Sequence, residues 1–286
     1  MEWIERLNAT MNYIEERLTD KIDYEEIARI ACCSVYHYQR MFGYMAGVTL
    51  TEYIKRRRMS AAAVDLQDGG KVIDVALTYG YDSPTAFNRA FQSVHGATPS
   101  SAKQKGVSLK TYPPLSFKMT IKGVEEMNYR IEEKAAFRIV GFREPVTSDA
   151  EEMFECVPLF WQKTAPQIPQ VISLMNGEPK GLLGVSTCNE VEGKQNYYYI
   201  AVSSDMPAPD GMHEESIDEN TWAIFPGSGT VDDIQALQIR IVSEWLPTSG
   251  YEWANAPDVE VYLNDDVQNM QFEVWLPVVK KQLFAV

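Results

Sequence analysis

The chain contains a repeat. Ser34 to Thr49 reads SVYHYQRMFGYMAGVT, and forty-nine positions on, Ser83 to Thr98 reads SPTAFNRAFQSVHGAT, with Ser, Arg, Phe, Gly and Thr at matching offsets. Each copy follows a pair of small residues four positions apart, Ala28 with Cys32 and Ala76 with Gly80. A small residue lets two helices cross closely, a tight turn joins them, and a Ser at the head of the next helix caps it. Two helix-turn-helix units in tandem are therefore predicted.

Local signals delimit the helices. Asp23 with Glu26 forms a capping box ahead of YEEIARIA, Ser34 caps the helix that follows, and Gly47 stands at its C-terminus. In the second copy Ser83 caps, Pro84 takes the first helical position and Gly96 stops the helix. Tyr38 with Phe42 and Phe87 with Phe91 recur at i and i+4, which turns them to the core of each unit and leaves Arg40 and Arg89 near the opposite face. Between the copies, Thr49 with Glu52 opens a helix, TEYIKRRRMSAAAVDLQ, that ends at Gly69-Gly70. That helix would fix the separation of the two recognition helices, which enter successive major grooves only if they lie about 34 Å apart. Ile4, Leu7, Met11, Ile14 and Leu18 mark an earlier packing helix. Cys32-Cys33 reads as buried small residues in the turn, and His37 as a packing or surface residue.

The spacings A-x-x-x-C-x-S-x-x-x-x-x-R-x-F, R-x-x-x-A, A-x-x-x-G-Y-x-S-x-x-x-F-x-R-x-F and G-x-T-P occur together, and about Met1 to Lys105 resembles the DNA-binding domain of the AraC/XylS family. The resemblance implies that Ser34, Tyr36, Gln39 and Arg40 meet DNA in the first unit, and Ser83, Thr85, Asn88 and Arg89 in the second. Arg pairs bidentately with guanine and Gln or Asn with adenine, each for about 1 to 3 kcal/mol of discrimination. Pro84 stands at a reading position with no donor, so the first copy is expected to carry more of the direct base readout. Ala102-Lys103 replaces the family's usual aromatic-Arg pair.

A formal charge of -14 looks wrong for a DNA-binding chain. Division by segment resolves it: residues 1–120 hold 15 Lys and Arg against 13 Asp and Glu, whereas residues 121–286 hold 11 against 27. Lys55, Arg56, Arg57 and Arg58 are the densest part of a modest basic footprint. The asymmetry implies two domains with different partners: a DNA-binding domain over 1–108, a linker over 109–123 around Tyr112-Pro-Pro, and a second domain over 124–286. Four Cys without regular spacing point to a reducing compartment, and no apolar run approaches the ~20 residues that span a bilayer, so a cytoplasmic chain without membrane contact is expected. His37, His95 and His213 have no ligand spacing with Cys, and neither a metal nor a cofactor is expected.

From Met127 the texture becomes alternating. NYRIEE and AFRIVGF read as strands, then Met153, Phe154, Val157, Phe160 and Trp161 fall at helical spacing, interrupted by Pro158. GLLGVSTC and NYYYIAVSS form a hairpin around Glu190 to Gln195. A second round follows in TWAIFPG, a helix striped by Ile234, Leu237, Ile241 and Trp245, then VEVYL and QFEVWLPVV. Strand, helix, strand, strand, twice, predicts an α+β domain of two β-α-β-β halves behind the all-α tandem units.

The blocks F-x-x-V-P-x-x-W near Trp161, Y-x-I-A-V near Tyr199, W-x-x-x-P-G-x-G from Trp222, E-W-L-P-x-S-G-Y from Glu244, E-x-Y at Glu260 and E-x-W-x-P at Glu273 resemble, in order, the GyrI-like effector-binding domain. The resemblance implies a pocket between the halves and an inward-facing acidic residue that meets the ligand. Alternation puts Glu273 and Trp275 on one strand face, and Glu260 and Tyr262 on one face of theirs. With Trp161, Tyr199 and Trp222 these are the ligand-site candidates, Glu273 first because its strand is so apolar. A carboxylate among aromatic rings favours a lipophilic cation. The expected function is ligand-responsive transcription regulation, with double-stranded operator DNA, a small effector and RNA polymerase as partners, by a monomer or homodimer. Hydrolysis by the pocket, or sequestration of a basic protein by the acidic half, is the alternative to this non-enzymatic reading.

Overall fold

The computed structural model describes residues 3–104, 106–118, 126–146, 150–187 and 195–281. The chain divides into two compact units, Met1–Cys32 with Val48–Thr120 and Cys33–Gly47 with Ile121–Val286. Among the described residues α1 (Trp3–Glu15), α2 (Tyr24–Ala31), α3 (Val35–Ala46), α4 (Leu50–Gln67), α5 (Val72–Thr78), α6 (Pro84–His95) and α7 (Pro99–Ala102) precede the first strand. All but α3 belong to the first unit; α3, the second helix of the first repeat, groups with the second.

The expected caps form. Asp23 accepts from Glu25 N at 3.0 Å, Ser34 from His37 N at 3.1 Å, Thr49 from Glu52 N at 3.0 Å and Ser83 from Ala86 N at 3.5 Å. The acidic halves of the two expected capping boxes are engaged elsewhere, Glu26 with Arg29 and Glu52 with Lys55 and Arg56. A base one turn on offers the carboxylate a full opposite charge, which a backbone N–H does not. Cys32 is not the buried residue the sequence suggests: it is exposed at the left-handed C-cap of α2, at φ 57°, with its N–H turned back to Ala28 and Arg29.

In the first unit Met59, Ala62 and Leu66 of α4 meet Val75, Ala76 and Tyr79 of α5 and Phe87, Phe91 and Val94 of α6. The basic run on α4 is half-buried and engaged within the unit. Lys55 and Arg56 pair with Glu52, Arg57 with Glu15 at 2.8 Å, and Arg58 donates to the carbonyls of Leu18 and Asp20 at 2.9 and 2.8 Å. Residues 109–118, expected as the start of a linker, are tied along this unit: Tyr112 N donates to Ser60, Leu115 N to Tyr53, and Asn8 exchanges hydrogen bonds of 2.8 and 2.9 Å with the main chain of Phe117.

The second unit is built on β1 (Arg130–Lys134), β2 (Phe137–Val146), α8 (Ala150–Thr164), α9 (Ile168–Ile172), β3 (Leu182–Ser186), β4 (Asn196–Ser203), β5 (His213–Ile217), β6 (Asn220–Gly229), α10 (Val231–Arg240), α11 (Leu246–Thr248), β7 (Tyr251–Trp253), β8 (Asp258–Tyr262) and β9 (Met270–Lys280). α10 runs through a π-helical turn, Ile241–Trp245, into α11. α8 continues through Pro158, where an interruption is expected. The Glu190 to Gln195 turn, apart from Gln195, and the side chains of Met153 and Phe154 lie outside the described residues.

The antiparallel sheet has the order β1-β6-β9-β8-β3-β4-β2-β5, with β7 on β9. Its two halves, β2-α8-β3-β4 and β6-α10-β8-β9, are the predicted strand, helix, strand, strand modules joined through β3 and β8. Each half also has a leading strand that its own sequence order does not place: β1 pairs with β6 of the second half, and β5 with β2 of the first. Ile139, Val185, Tyr199, Trp222, Ile224, Val259 and Val261 form a core on one sheet face. Helices α8 and α9 pack on the other face, against Tyr198, Ile200 and Val146 and against Val140 and Val202. No helix among the described residues is long and apolar enough to cross a membrane.

Candidate functional site

Register divides the expected ligand residues between two places. β8 meets β9 with Val261 opposite Glu273 and Glu260 opposite Val274. Directly opposed residues share a face, so Glu273 and Trp275 stand on the core face with Val259 and Val261. Glu260 and Tyr262 stand on the helix face.

On the helix face, Glu260 is the focus of a hydrogen-bonded cage. The Tyr198 and Tyr262 hydroxyls donate to its Oε2 at 3.0 and 2.8 Å, and Gln238 Nε2 of α10 donates to Oε1 at 2.7 Å. Trp161 of α8 donates its indole N–H to the Tyr198 oxygen at 3.1 Å and sets its ring edgewise to Tyr262, centroids 5.1 Å apart. Burial first, and the Glu260 charge second, hold both Tyr hydroxyls well above the usual phenol range, so they stay protonated donors. Gly184 of β3 makes room: a Cβ there would lie 2.3 Å from the Tyr198 hydroxyl and 2.8 Å from Glu260 Oε2. No salt bridge reaches Glu260 among the described residues.

On the core face, Glu273 borders a cleft of about 550 Å³, walled by Phe137, Pro179, Val261 and Trp275 with Arg130, Lys134 and Lys180 at its rim. Its charge is already met, by Arg130 at 2.9 Å and by the Trp275 indole N–H at 2.8 Å, while Lys134 lies 5.5 Å from the Trp275 ring centroid. Tyr199 and Trp222 are fully buried in the core of this face. Trp222 packs on Trp275, and Tyr199 bridges Arg143 and Glu215 through its hydroxyl at 3.1 Å each, so both serve as packing and line neither carboxylate.

The expected DNA-reading residues also separate. On α6, Ser83, Pro84, Thr85 and Arg89 are exposed and Asn88 half-buried. At α3, Ser34, Tyr36 and Gln39 are buried, and the Arg40 side chain is 10 % exposed. Arg40 forms an ion pair with Asp258 of β8, whose other oxygen accepts from Trp253 Nε1 of β7 at 3.0 Å. Burial opposes the Arg40 charge, but Tyr44 and Asp258 hold its pKa well above the ordinary value; burial raises the Asp258 carboxyl against the pull of Arg40. His37 stacks on Trp253, centroids 4.6 Å apart and planes at 22°. In this arrangement the residues expected to meet DNA from the first repeat are buried, and those from the second are mostly exposed.

A single chain of hydrogen bonds joins the two halves of this site. Arg40 Nη2 donates to the Tyr44 oxygen at 3.0 Å, Tyr44 donates to Gln238 Oε1 at 3.1 Å, and Gln238 donates onward to Glu260. The direction is forced, since a guanidinium only donates and a carboxylate only accepts. A cavity of about 20 Å³, roughly one water, lies beside the chain. Sequence reasoning missed Tyr44, Tyr198, Gln238, Trp253 and Asp258. Asp258 alone carried a usable signal, two positions before Glu260 and hence on its face.

Comparison with known proteins accords with both halves. A GyrI-like small molecule binding domain matches residues 127–279, more than half of the chain, and a helix-turn-helix domain matches residues 27–105. The HTH-type transcriptional activator AarP of Providencia stuartii is 39 % identical over 95 residues, 33 % of this chain and 70 % of its own length. The right origin-binding protein of Escherichia coli strain K12 is 23 % identical over 288 residues, 93 % of this chain and 95 % of its own. A crystal structure of a bacterial transcription regulation protein from Staphylococcus aureus MU50 covers 54 % of this chain and 99 % of its own at 21 % identity, with a TM-score of 0.47. The chain thus belongs to the AraC-type helix-turn-helix transcription regulators, and its C-terminal half is a GyrI-like small-molecule-binding domain.

Proposed function

We propose that this regulator senses a lipophilic organic cation at Glu260 and reads a specific operator with Tyr36, Gln39 and Arg40 of α3 and Thr85, Asn88 and Arg89 of α6. RNA polymerase is the partner that converts occupancy into transcription, in the cytoplasm. The observation that carries the choice of site is the charge balance at the two carboxylates. Glu273 is ion-paired with Arg130, whereas Glu260, beside Trp161, Tyr198 and Tyr262, receives three neutral donors and no ion pair among the described residues. A cation there gains the carboxylate and the ring faces together, the rings contributing about 0.5 to 2 kcal/mol each. Entry requires the cage to open, because the space beside Glu260 is small. A carboxylate that accepts three hydrogen bonds is a poor general base, and this favours sensing over hydrolysis.

The cleft at Glu273 is the second reading, since its volume suits a drug-sized ligand without rearrangement. Calorimetry with tetraphenylphosphonium as probe separates the two. Glu260→Gln should weaken binding by about tenfold or more, the equivalent of ~1.4 kcal/mol, and Glu273→Gln should leave it nearly unchanged. The reverse result moves the site to the cleft, and no binding by the parent protein removes the cation from the reading.

A further inference from the structure

Three residues on one face of α3, His37, Arg40 and Tyr44, fall at i, i+3 and i+7, and each has a specific partner in the C-terminal half. His37 lies on Trp253, Arg40 pairs with Asp258, and Tyr44 donates to Gln238. This is a docked helix face with its own stack, ion pair and hydrogen bond, not a loose apposition. It also occupies the side chains a recognition helix needs: the Arg40 guanidinium, the best fork for a guanine edge on α3, has its charge paired with a buried carboxylate.

From this geometry we infer that α3 is stored against the GyrI-like sheet as a latch, and that a cation entering at Glu260 releases it for DNA. The inference rests on the proposal that Glu260 is the effector site. The coupling is physical and short. Glu260 and Arg40 are two ends of one hydrogen-bonded chain through Gln238 and Tyr44. A cation that takes the Glu260 oxygens frees Gln238 from them and places a second positive charge in the same buried network as Arg40. Like charges in a low dielectric repel strongly, so the effector binds better when α3 has left than when it is docked. That difference in affinity is what a ligand must have to shift a conformational equilibrium. Until release, only the fraction of molecules with α3 free can use both reading helices, and the apparent DNA affinity is reduced by that fraction.

The latch can be broken without touching the reading residues. Asp258→Asn leaves Arg40 buried without its counter-charge, and Tyr44→Phe cuts the chain between Arg40 and Gln238. In the full-length protein each variant should speed hydrogen exchange of the backbone amides of residues 35–46 about tenfold. Each should also tighten binding, by a similar factor, to a duplex enriched by this chain from a random-sequence pool. Tetraphenylphosphonium should produce the same two changes in the parent protein. If both variants keep their circular dichroism but leave α3 exchange and DNA affinity unchanged, the latch is overturned. If tetraphenylphosphonium binds by calorimetry yet α3 exchange stays as it was, the coupling is overturned. Absence of any cation binding would instead fault the effector assignment, while the two variants, which need no ligand, still decide whether α3 is latched.

Discussion

His37 lies flat against Trp253 and is so completely buried that loss of hydration, and then the neighbouring Arg40 charge, hold its pKa down at about 3. Around it stand Tyr36 and Arg40 of its own helix, and Trp253 with the Asp258 that Trp253 binds. An unfolded chain protonates the same imidazole near pH 6.5. The folded value is the lower one, so the packing stabilises fully above pH 6.5 and is lost progressively as pH falls from 6.5 to about 3. Urea unfolding followed by Trp fluorescence, to which five of the six Trp contribute from beyond residue 120, should lose up to about 2 kcal/mol between pH 7 and 5 from this group. His37→Phe, which keeps a ring on Trp253, should flatten that limb, and an unaltered limb would show that His37 is protonated more easily than its burial implies. The sequence reading of His37 as a packing residue rather than a ligand rests on its being alone. Neither the depth of its burial nor its partner, more than two hundred positions away, has any local signal.

Among the elements, the strands show where period-two reasoning stops. Alternation assigns Glu260 with Tyr262, and Glu273 with Trp275, to faces of their own strands. Only the Val261 to Glu273 register sends the two carboxylates to opposite sides of the sheet. Gly184, across from Glu260, is the element-scale test of the site, because β3 has to pass within reach of the Tyr198 hydroxyl. Gly184→Ala should cost about 1 to 3 kcal/mol of stability through overpacking, and should reduce tetraphenylphosphonium affinity at least about tenfold with strand circular dichroism retained. Affinity equal to that of the parent would place the ligand away from the Tyr198 and Glu260 pair. Helix ends were more legible than strand faces: Ser34, Thr49 and Ser83 all cap as their sequence neighbourhood predicts, since a cap is decided within four residues.

For the whole molecule, the consequence is that two copies of one motif are presented differently. Arg40 and Arg89 hold the same motif position, yet Arg40 is buried in an ion pair and Arg89 is exposed. Hydroxyl-radical footprints should reflect this, with the parent protein protecting chiefly the groove read by α6. Asp258→Asn should extend protection by about one helical turn, roughly 10 base pairs; footprints of equal length would mean that α3 engages DNA equally in both. Sequence alone determined the two helix-turn-helix repeats, the α+β modules behind them and the acidic bias of the second half, because caps, stripes and alternation are written in neighbouring residues. The tertiary structure decided which carboxylate pairs with an arginine and which of the two repeat helices leaves its Arg exposed. Those outcomes depend on contacts such as Arg40 with Asp258, 218 positions apart, and on strand register, and no local periodicity encodes either one.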